Sequence, residues 1–402
     1  MRSKQLREMR LLVISSVIHY EWNSTVSAFA GYAREVDIWA DVFSEVGVAA
    51  PVRHQPPPGD CMPFRRPNIR LIPQKEVGGS TCRAKIKLLA SVPALAWSLV
   101  DAMRGYDAVH VRCPGNLGFL GIFLAPLFSR RIIAKYAGQW NGYCGEDLGS
   151  RLQRRLLKSR FWSGPVTVYG QWPKQPPHVI PFFTSVMTRE RLQRAAKAAS
   201  KERPSTLLRV LFVGRLTAAK NVDILLEALS SLHAQGIAFA CSIVGEGPEF
   251  GRLQAIANKL GISNFVRFTG GVDHDHVLEY MEDSDVLVLA SNSEGWPKAI
   301  AEGMAHGLVC VGSDRGLIPE MLSNGRGVIV PSRDSVELAN ALKQIAFDPQ
   351  CFEPMRSLAA KWASLYSIEG LRDAITNLLQ THWKLYPNGR AVEYETVRQE
   401  VN

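Results

Sequence analysis

The chain has 402 residues, of which 46% are hydrophobic and 21% are charged. This composition is that of an ordinary globular protein, and it excludes the disordered and fibrous classes. The length is sufficient for two domains and exceeds what one hydrophobic core usually serves. The formal net charge of +10 favours an anionic partner, such as nucleic acid, a lipid surface or a phosphorylated metabolite.

Much of the positive charge is concentrated between residues 130 and 160. The basic residues of this stretch are Arg130, Arg131, Lys135, Arg151, Arg154, Arg155, Lys158 and Arg160. They are compatible with the solvated face of a helix and with contact to a membrane surface, and the sequence leaves both interpretations open. Nucleic acid is disfavoured as a partner because no recognised nucleic-acid-binding motif accompanies the charge.

The sequence favours a cytoplasmic protein that is soluble or lies on the inner face of a membrane. Leu11–Val17 precedes no small-residue cleavage site, which favours a strand over a signal peptide. The longest apolar runs, Leu88–Val100 (interrupted by Pro93) and Leu117–Phe128, are shorter than the ~20 residues that a spanning helix needs. The seven cysteines form no CxxC or Cys–His cluster, which favours free thiols in a reducing compartment.

The first half of the chain alternates irregularly between predicted strands and helices. Strands are predicted at Leu11–Ser15, Asp107–Val111 and Ile132–Tyr136, with an amphipathic helix within Ser27–Val46 and a second helix at Leu117–Phe128. The segment Pro51–Pro73 is rich in proline and arginine, and we expect it to wrap the surface without regular structure. The pattern predicts a Rossmann-like domain over residues 1–184.

The second half alternates more regularly. Strands are predicted at Arg209–Gly214, Phe239–Gly245, Phe265–Thr269, Val286–Ala290, Leu308–Gly312 and Gly327–Val330, and helices at Val222–His233, Glu249–Leu260, His276–Met281, Pro297–His306 and Ile318–Leu322. Such alternation is typical of a doubly wound parallel sheet covered on both faces. We therefore predict a second domain over residues 205–366, joined to the first by a linker within 180–207. A last helix, at about 368–385, is expected to pack back onto the first domain, before a frayed tail from residue 388.

The first candidate site follows the strand Arg209–Gly214. Ligands of open parallel sheets bind at the carboxyl ends of the strands, and Gly214 allows close approach of the backbone there. Arg215 and Lys220 flank the start of the next helix, where cations are unfavourable unless an anion is bound. Two cations beside a helix N-terminus predict a diphosphate site rather than an ordinary polar surface.

The second candidate site is the run Glu294–Glu302. Pro297 suits the first turn of a helix, so Glu294 is predicted to lie on the loop before the helix. Glu302 then lies within the helix, and both carboxylates could accept hydrogen bonds from sugar hydroxyls. A merely structural pairing of Lys298 with Glu302 explains the motif poorly, because a lysine that precedes its glutamate by four residues is the weaker arrangement.

These motifs, taken together in order and spacing, resemble one family. FVGRL, IVGEGPE, RFTGGV and SNSEGWPKAIAEGMAHG, within residues 210–342, are similar to the C-terminal half of the retaining glycosyltransferases of family 4. The resemblance implies the GT-B fold, in which two Rossmann-like domains face a central cleft. It also implies a nucleotide-sugar donor and catalysis without a bound metal or other cofactor.

The resemblance also implies roles for single residues. Arg215 and Lys220 are similar to the pair that holds the donor diphosphate, and Glu302 to the residue that binds the ribose hydroxyls. Glu294 resembles the residue that contacts the donor sugar. Gly270 and Gly295 would leave room for the nucleotide and the sugar.

The chain departs from the family pattern at several positions. Pro297 stands where a glycine is frequent and removes one amide donor, and we predict that Lys298 replaces it as a phosphate or sugar contact. Gly303 replaces a common alanine, a change that costs about 1 kcal/mol in a helix. The usual glycine-rich loop after the first strand is missing, and Ala137 or Gly138 stands where many members carry a histidine.

The remaining acceptor-side candidates are two histidines. His19 follows the first strand and is expected to reach the cleft, whereas His110 lies within a strand and is more often a packed residue than a ligand.

Two other motifs are given structural interpretations. The glycines of Gly245–Gly251 imitate a dinucleotide fingerprint but fall in the second unit of the domain, which disfavours a dehydrogenase. Asp273–His276 could suggest a metal site, but Asp273 is well placed to cap the following helix.

The sequence therefore predicts a glycosyltransferase that moves a hexose-type sugar to a glycan or a lipid-linked acceptor, with retention of configuration. Two alternatives remain open at this point. A GT-B epimerase would act on a nucleotide sugar without an acceptor. A non-catalytic nucleotide-sugar-binding subunit would explain the missing N-terminal histidine and glycine loop.

Overall fold

The computed structural model describes residues 6–79, 81–143, 145–185, 187–200 and 207–383. Two sheets divide the chain into two α/β domains, and separate apolar clusters pack on the sheets. The predicted tail from residue 388 and part of the predicted linker lie outside the described residues.

The N-terminal domain is built on a ten-stranded sheet. Its elements are β1 (Arg10–Ile14), β2 (His19–Trp22), β3 (Thr25–Phe29), α1 (Ala30–Val42), β4 (Glu45–Arg53), β5 (Cys61–Pro63), β6 (Ile69–Gln74), α2 (Cys82–Arg104), β7 (Ala108–Cys113), α3 (Asn116–Phe128), β8 (Ile132–Tyr136), α4 (Leu148–Lys158), β9 (Val166–Tyr169) and β10 (Val179–Phe182). The strand order is β10-β9-β8-β7-β1-β4-β2-β3-β5, and β6 pairs with β4. All pairings along β10-β9-β8-β7-β1-β4-β6 are parallel, as in a Rossmann-like sheet.

The helix predicted within Ser27–Val46 is confirmed as Ala30–Val42, and the flanking residues of that segment pair as β3 and β4. The prediction for the next segment is wrong. The segment Pro51–Pro73 contains β5 and most of β6, so it is not irregular. The backbone of β6 is paired with β4 from Val46 to Pro51, and this long-range pairing overrides the unfavourable local composition.

The segment between the two sheets contains a further helix, α5 (Arg189–Ala199). Its buried residues Leu192 and Ala195 pack in the apolar cluster of the C-terminal domain. Thr188 caps the helix by accepting a hydrogen bond from the amide of Arg191. The predicted linker region therefore contains a helix that is part of the second domain.

The C-terminal domain is a doubly wound unit on a six-stranded parallel sheet. Its elements are β11 (Leu208–Val213), α6 (Val222–Ala234), β12 (Phe239–Val244), α7 (Phe250–Lys259), β13 (Val266–Gly270), α8 (His274–Glu282), β14 (Val286–Leu289), α9 (Lys298–Ala305), β15 (Val309–Ser313), α10 (Ile318–Leu322), β16 (Val328–Val330), α11 (Ser335–Phe347) and α12 (Glu353–Ala363). The strand order β13-β12-β11-β14-β15-β16 reverses beside β11, which places the ligand crevice at the carboxyl ends of β11 and β14. The strands and helices predicted here are confirmed to within two residues.

The last described helix, α13 (Ile368–His382), returns to the N-terminal domain. The residues that it buries against α1 and the surrounding core are Leu371, Ile375, Leu378 and Leu379. Trp383 continues this contact, with its ring centroid 6.2 Å from that of Phe43. The helix thus ties the end of the chain to the first domain.

Helix α2 is longer than the apolar run Leu88–Val100 that the sequence shows there. The helix continues through Pro93, and the part Ile86–Arg104 is long and apolar enough to cross a membrane by length and composition alone. However, Leu95, Leu99 and Met103 are buried in the core of the N-terminal domain. Helix α2 therefore packs on the domain along one side.

Candidate active site

The carboxyl edges of the two sheets face each other across a narrow cleft. A Cβ atom added to Gly295 would lie 2.8 Å from the carbonyl oxygen of Ala137, so the loop after β14 contacts the loop after β8. A Cβ atom added to Gly59 would lie 4.0 Å from Oε2 of Glu246, on the other side of the cleft. The candidate residues of both domains therefore lie close together.

The backbone after β11 makes a close contact with the loop after β12. A Cβ atom on Gly245 would lie 2.0 Å from the carbonyl oxygen of Gly214, so a side chain at position 245 would collide with the backbone. The amide of Gly245 also donates to the carbonyl of Gly270, at 2.9 Å. Gly214 and Gly270 thus lie beside the same loop, at the edge where a ligand would enter.

Arg215 is exposed and follows the last residue of β11 by two positions, at the carboxyl edge of the sheet. Burial and the neighbouring carboxylate of Asp60 raise the pKa of the Cys61 thiol to about 12, and the positive charge of Arg215 opposes this rise. Such coupling requires Arg215 to lie near β5. The guanidinium therefore remains accessible to an anion between the domains.

Lys220 is positioned by Asn221, a residue that the sequence did not single out. Asn221 is buried and has φ of 49°, a left-handed conformation that asparagine tolerates better than most residues. Its side-chain amide donates to the carbonyl of Ala290 and to Oδ1 of Asn292, each at 2.8 Å. These bonds fasten the short helical turn Ala218–Lys220 to the end of β14.

Lys220 and Glu294 are brought together although 74 residues separate them. The ammonium group donates to Oε1 of Glu294 at 2.5 Å, and the two side chains are 23% and 10% exposed. The loop that carries Glu294 is supported by Gly316, at φ of 61°, where a Cβ atom would lie 2.2 Å from the Glu294 carbonyl oxygen. Trp296 packs on Tyr366, with ring centroids 5.1 Å apart.

Glu302 is buried on α9 and hydrogen-bonded to His274, which the sequence interpretation had grouped with a helix cap. Nε2 of His274 lies 2.6 Å from Oε1 of Glu302, and its Nδ1 lies 3.0 Å from a guanidinium nitrogen of Arg191. Arg191 also pairs with Asp275. Glu302 is thus held by a chain of polar side chains that runs back to α5.

Arg34 brings the N-terminal domain into this group. Burial lowers the pKa of Arg34, whereas the nearby charge of Glu302 raises it. Arg34 lies on α1. The cleft therefore places a cation of the N-terminal domain beside Glu302, the residue of the C-terminal domain that is predicted to bind the ribose.

Known glycosyltransferases are similar to this chain in sequence. The family described as "Glycosyl transferases group 1" matches residues 193–362, and this region is a domain of that type. The putative colanic acid biosynthesis glycosyltransferase WcaL of Salmonella typhimurium is 28% identical over 293 residues, covering 69% of this chain and 68% of WcaL. The alpha-D-kanosaminyltransferase of Streptomyces kanamyceticus is 27% identical over 212 residues, covering 52% of this chain and 55% of that protein.

The solved structures establish the fold. Sucrose-phosphate synthase from Thermosynechococcus elongatus has a TM-score of 0.69 at 19% identity, covering 94% of this chain and all of that chain. Anabaena HepE, in complex with UDP and glucose, has a TM-score of 0.66 at 18% identity, covering 93% of this chain and all of that chain. The chain is a glycosyltransferase with the GT-B fold.

Lys298 of the glycosyltransferase extends toward the N-terminal domain. Its Nζ lies 5.9 Å from the ring centroid of Phe29, and a Cβ atom added to Gly31 would lie 2.0 Å from the same Nζ. Burial lowers the pKa of Lys298 to about 8, and the nearby cations Arg112 and Lys135 lower it further, although Glu35 raises it. The predicted phosphate or sugar contact is therefore a residue that bridges the two domains in this structure.

A buried ion cluster of the N-terminal domain lies behind Lys298. Oε1 of Glu35 accepts from Nζ of Lys135 at 2.8 Å and from Nη1 of Arg112 at 3.2 Å. Burial alone would raise the pKa of Glu35, but the charges of Lys135 and Arg112 lower it below its ordinary value. Arg112 is the penultimate residue of β7, and Lys135 is the penultimate residue of β8. The cluster therefore lies at the cleft edge of the sheet. Two cations share one carboxylate there.

The two candidate histidines are core residues. His19 is fully buried, where its ring packs against Tyr32 and Phe64, so its expected access to the cleft is wrong. Burial lowers its pKa to about 4. His110 is stacked on Trp39 with ring centroids 4.7 Å apart, and burial lowers its pKa to about 3. Both rings are therefore neutral at physiological pH and enclosed in the core.

The two motifs that received structural interpretations have local partners. Asp273 accepts hydrogen bonds from the amides of Asp275 and His276, as a helix cap does. The glycine-rich loop Gly245–Gly251 connects β12 to α7, and its Glu246 carbonyl accepts from the amide of Leu216 at 2.8 Å. This loop forms one wall of the crevice beside Arg215.

Proposed function

We propose that the enzyme transfers a hexose from a nucleoside-diphosphate sugar to a glycan or lipid-linked acceptor, with retention of configuration, as a retaining enzyme of family 4. The observation that carries the proposal is the 2.5 Å contact between Lys220 and Glu294 in the ligand crevice. A cation for the diphosphate and a carboxylate for the sugar lie side by side there. The name of WcaL, which refers to colanic acid biosynthesis, supports a role in polysaccharide or glycoconjugate biosynthesis.

In this proposal the donor binds to the C-terminal domain. Glu302, held by His274, accepts hydrogen bonds from the ribose hydroxyls, and Glu294 accepts them from the sugar. Arg215 and Lys220 stabilise the negative charge that develops on the leaving diphosphate. These preorganised cations supply the charge stabilisation that a metal ion would otherwise supply, so we propose catalysis without a metal or other cofactor.

We assign donor contacts to the backbone of Gly214, Gly270 and Gly295 and to the side chain of Lys298. At Gly295 the backbones of the two domains are in contact. The sugar of the donor would therefore lie beside Ala137 and Gly138. The acceptor would then enter from the N-terminal domain. We propose a cytoplasmic enzyme that acts at the inner face of a membrane when its acceptor is lipid-linked.

The proposal is tested by a thermal-shift panel of UDP-, GDP- and ADP-sugars, followed by assays of donor hydrolysis and transfer. The correct donor raises the apparent melting temperature, because a ligand that binds only the native state stabilises it. Arg215→Ala should abolish transfer while the protein stays folded. Arg267→Ala, at an exposed arginine on β13, is the matched control and should keep full activity.

Each remaining outcome would replace the proposal. Full transfer by a folded Arg215→Ala enzyme would remove the diphosphate assignment. Conversion of the donor into an epimer without an acceptor would make the protein an epimerase. Donor binding without any turnover would make it a nucleotide-sugar-binding subunit.

A further inference from the structure

Helices α2, α3 and α4 form an outer layer of the N-terminal domain that exposes many large apolar side chains. We call this layer the α2–α4 face. Its exposed apolar residues are Ile86, Leu89, Trp97, Phe123, Leu127, Phe128, Leu148, Leu152 and Phe161. They are nine of the seventeen large apolar residues that are exposed in the described part of the chain, although residues 86–161 make up only about a fifth of that part. Contiguous exposed apolar surface of this kind marks an interaction site.

Helix α2 carries large apolar residues on both of its sides. Leu95 and Leu99 are buried in the domain core, whereas Leu89 and Trp97 on the other side are each 71% exposed. An ordinary surface helix would carry polar residues on its outer side. The buried side packs α2 along the surface of the domain. The outer side is therefore available to a partner over the length of the helix.

Helices α3 and α4 extend this surface. Leu127 at the end of α3 is 73% exposed, and Leu148 at the start of α4 is 80% exposed. The ring of Phe123 lies 5.6 Å from that of Phe161, which follows α4, so aromatic contacts connect the two helices. Leu152, one turn after Leu148, lies on the same side of α4.

Cations surround the apolar residues. Among the side chains described between residues 82 and 161, the exposed basic ones are Arg83, Lys87, Arg104, Arg130, Arg151, Arg155 and Arg160. The exposed acidic ones in the same range are Asp101, Asp107 and Asp147. The face therefore has an excess of positive charge around an apolar centre.

We propose that the α2–α4 face docks on an anionic lipid bilayer, with Leu89, Trp97 and Leu127 entering the interface between headgroups and acyl chains. Exposed apolar side chains with flanking arginines and lysines are what an interfacial helix presents to lipid. Each arginine or lysine near an anionic surface adds favourable electrostatic energy. The proposal rests on the proposed function, because it brings the transferase to a lipid-linked acceptor.

The orientation suits such an acceptor. Helices α3 and α4 follow the carboxyl ends of β7 and β8, so both begin at the edge of the sheet that borders the cleft. The loop between β8 and α4 also carries Ala137, which contacts Gly295 in the site. A bilayer on the α2–α4 face would therefore lie beside the entrance for the acceptor.

Charge disfavours a second copy of the chain as the occupant. In a twofold symmetric dimer the same patch is present on both partners, so arginines of one copy would face arginines of the other. Like charges brought together in an interface cost free energy. An anionic surface instead neutralises all of them at once.

The test is flotation of the full-length protein with two kinds of vesicle, phosphatidylcholine alone and phosphatidylcholine mixed two to one with phosphatidylglycerol. We expect wild-type protein to float with the anionic vesicles and to be released by high salt. The double variant Leu89→Glu/Trp97→Glu should bind at least ~10-fold more weakly, because charged side chains are costly in an apolar interface. Arg155→Glu/Arg160→Glu should weaken binding by roughly tenfold as well.

Matched controls lie on the C-terminal domain. Phe347→Glu replaces an apolar residue that is also 71% exposed, and Lys259→Glu/Arg267→Glu reverses two exposed cations. Both should float as wild type does. Circular dichroism and thermal unfolding establish that each variant is folded.

Three outcomes overturn the docking proposal: no flotation of the wild type, equal loss in the control variants, or a dimer in sedimentation velocity that only the α2–α4 face variants dissociate. Donor hydrolysis is measured on the same samples. A face variant that keeps hydrolysis but loses flotation supports the proposal, and failure of hydrolysis in the wild type would count against the proposed function and leave the vesicle result intact.

Discussion

The ammonium group of Lys220 lies 2.5 Å from Oε1 of Glu294, in a crevice where the two side chains are 23% and 10% exposed. The pair holds both residues in place before a donor arrives. A diphosphate would compete with Glu294 for the lysine, and sugar hydroxyls would compete with the lysine for Glu294. Donor binding thus exchanges one set of charge-assisted hydrogen bonds for another. The two residues are expected to act as one unit.

We predict that Lys220→Met and Glu294→Gln each lower kcat for transfer by about 100-fold or more, as loss of a preorganised charge contact does. The double variant should be little slower than the slower single variant, because residues that act as a unit are not additive. Initial transfer rates at saturating donor measure this. Lys259→Met, at an exposed lysine on α7, is the control. Strictly additive losses would show that the two residues act independently.

A second prediction concerns His274. His274→Ala should raise the Kd for the nucleotide by about tenfold, because a hydrogen bond to a charged group contributes roughly 1.5–3 kcal/mol. His276→Ala is the matched control, since that histidine lies on the same helix but pairs with Asp273 on the surface. Isothermal titration with UDP or GDP measures both. A lower melting temperature with unchanged nucleotide affinity would make His274 a purely structural residue.

The C-terminal domain was predictable because its signals are local. Each strand there is a short apolar run flanked by glycine or polar residues, and the crevice residues lie directly after β11 and β14. The only sequence signal for His274 is its position at the start of a helix, from which its side chain could reach a neighbouring element. Its partner Glu302 is 28 residues away and meets it through the packing of α8 on α9.

The N-terminal domain was less predictable because its order depends on distant partners. Strand β6 pairs with β4, although β6 and the residues just before it are rich in proline and arginine. Glu35 lies on α1, and its partners Arg112 and Lys135 come from two strands far along the chain. His19 follows a strand, as a cleft residue would, but the turn after β1 folds it into the core. No local pattern distinguishes these arrangements.

The buried cluster leads to a stability prediction. Glu35→Gln should lower the free energy of unfolding by about 3–5 kcal/mol, because it leaves two cations with no carboxylate in a buried site. Glu190→Gln removes an exposed ion pair with Arg194 and should change it by less than about 0.5 kcal/mol. Denaturant unfolding of the two variants gives the comparison. Equal effects would show that water reaches the cluster of Glu35.

Lys298 leads to a pH dependence. Its pKa in the folded protein is lowered to about 8, below the ordinary value of a free lysine, so protonation opposes folding. The destabilisation is fully present below pH about 8 and is lost as the pH rises from there to the pKa of the unfolded chain, near 10.4. Lys298→Met should therefore be more stable than wild type at pH 7, by roughly 1–3 kcal/mol, and the difference should vanish near pH 10. Thermal unfolding of both proteins across this range tests it, and a constant difference would contradict the pKa assignment.

The close contact behind Glu294 gives the last prediction. Gly316 has φ of 61°, and a Cβ atom there would lie 2.2 Å from the Glu294 carbonyl oxygen, so Gly316→Ala must displace the loop that carries Glu294. Gly261 has φ of 71° with open space around it, so Gly261→Ala has the same backbone strain, about 1 kcal/mol, without the collision. We expect both variants to lose similar backbone stability, but only Gly316→Ala to lose transfer, by about 100-fold. Melting temperatures and transfer rates, measured side by side, separate the two effects. Retained transfer in a folded Gly316→Ala enzyme would mean that the position of Glu294 does not limit the reaction.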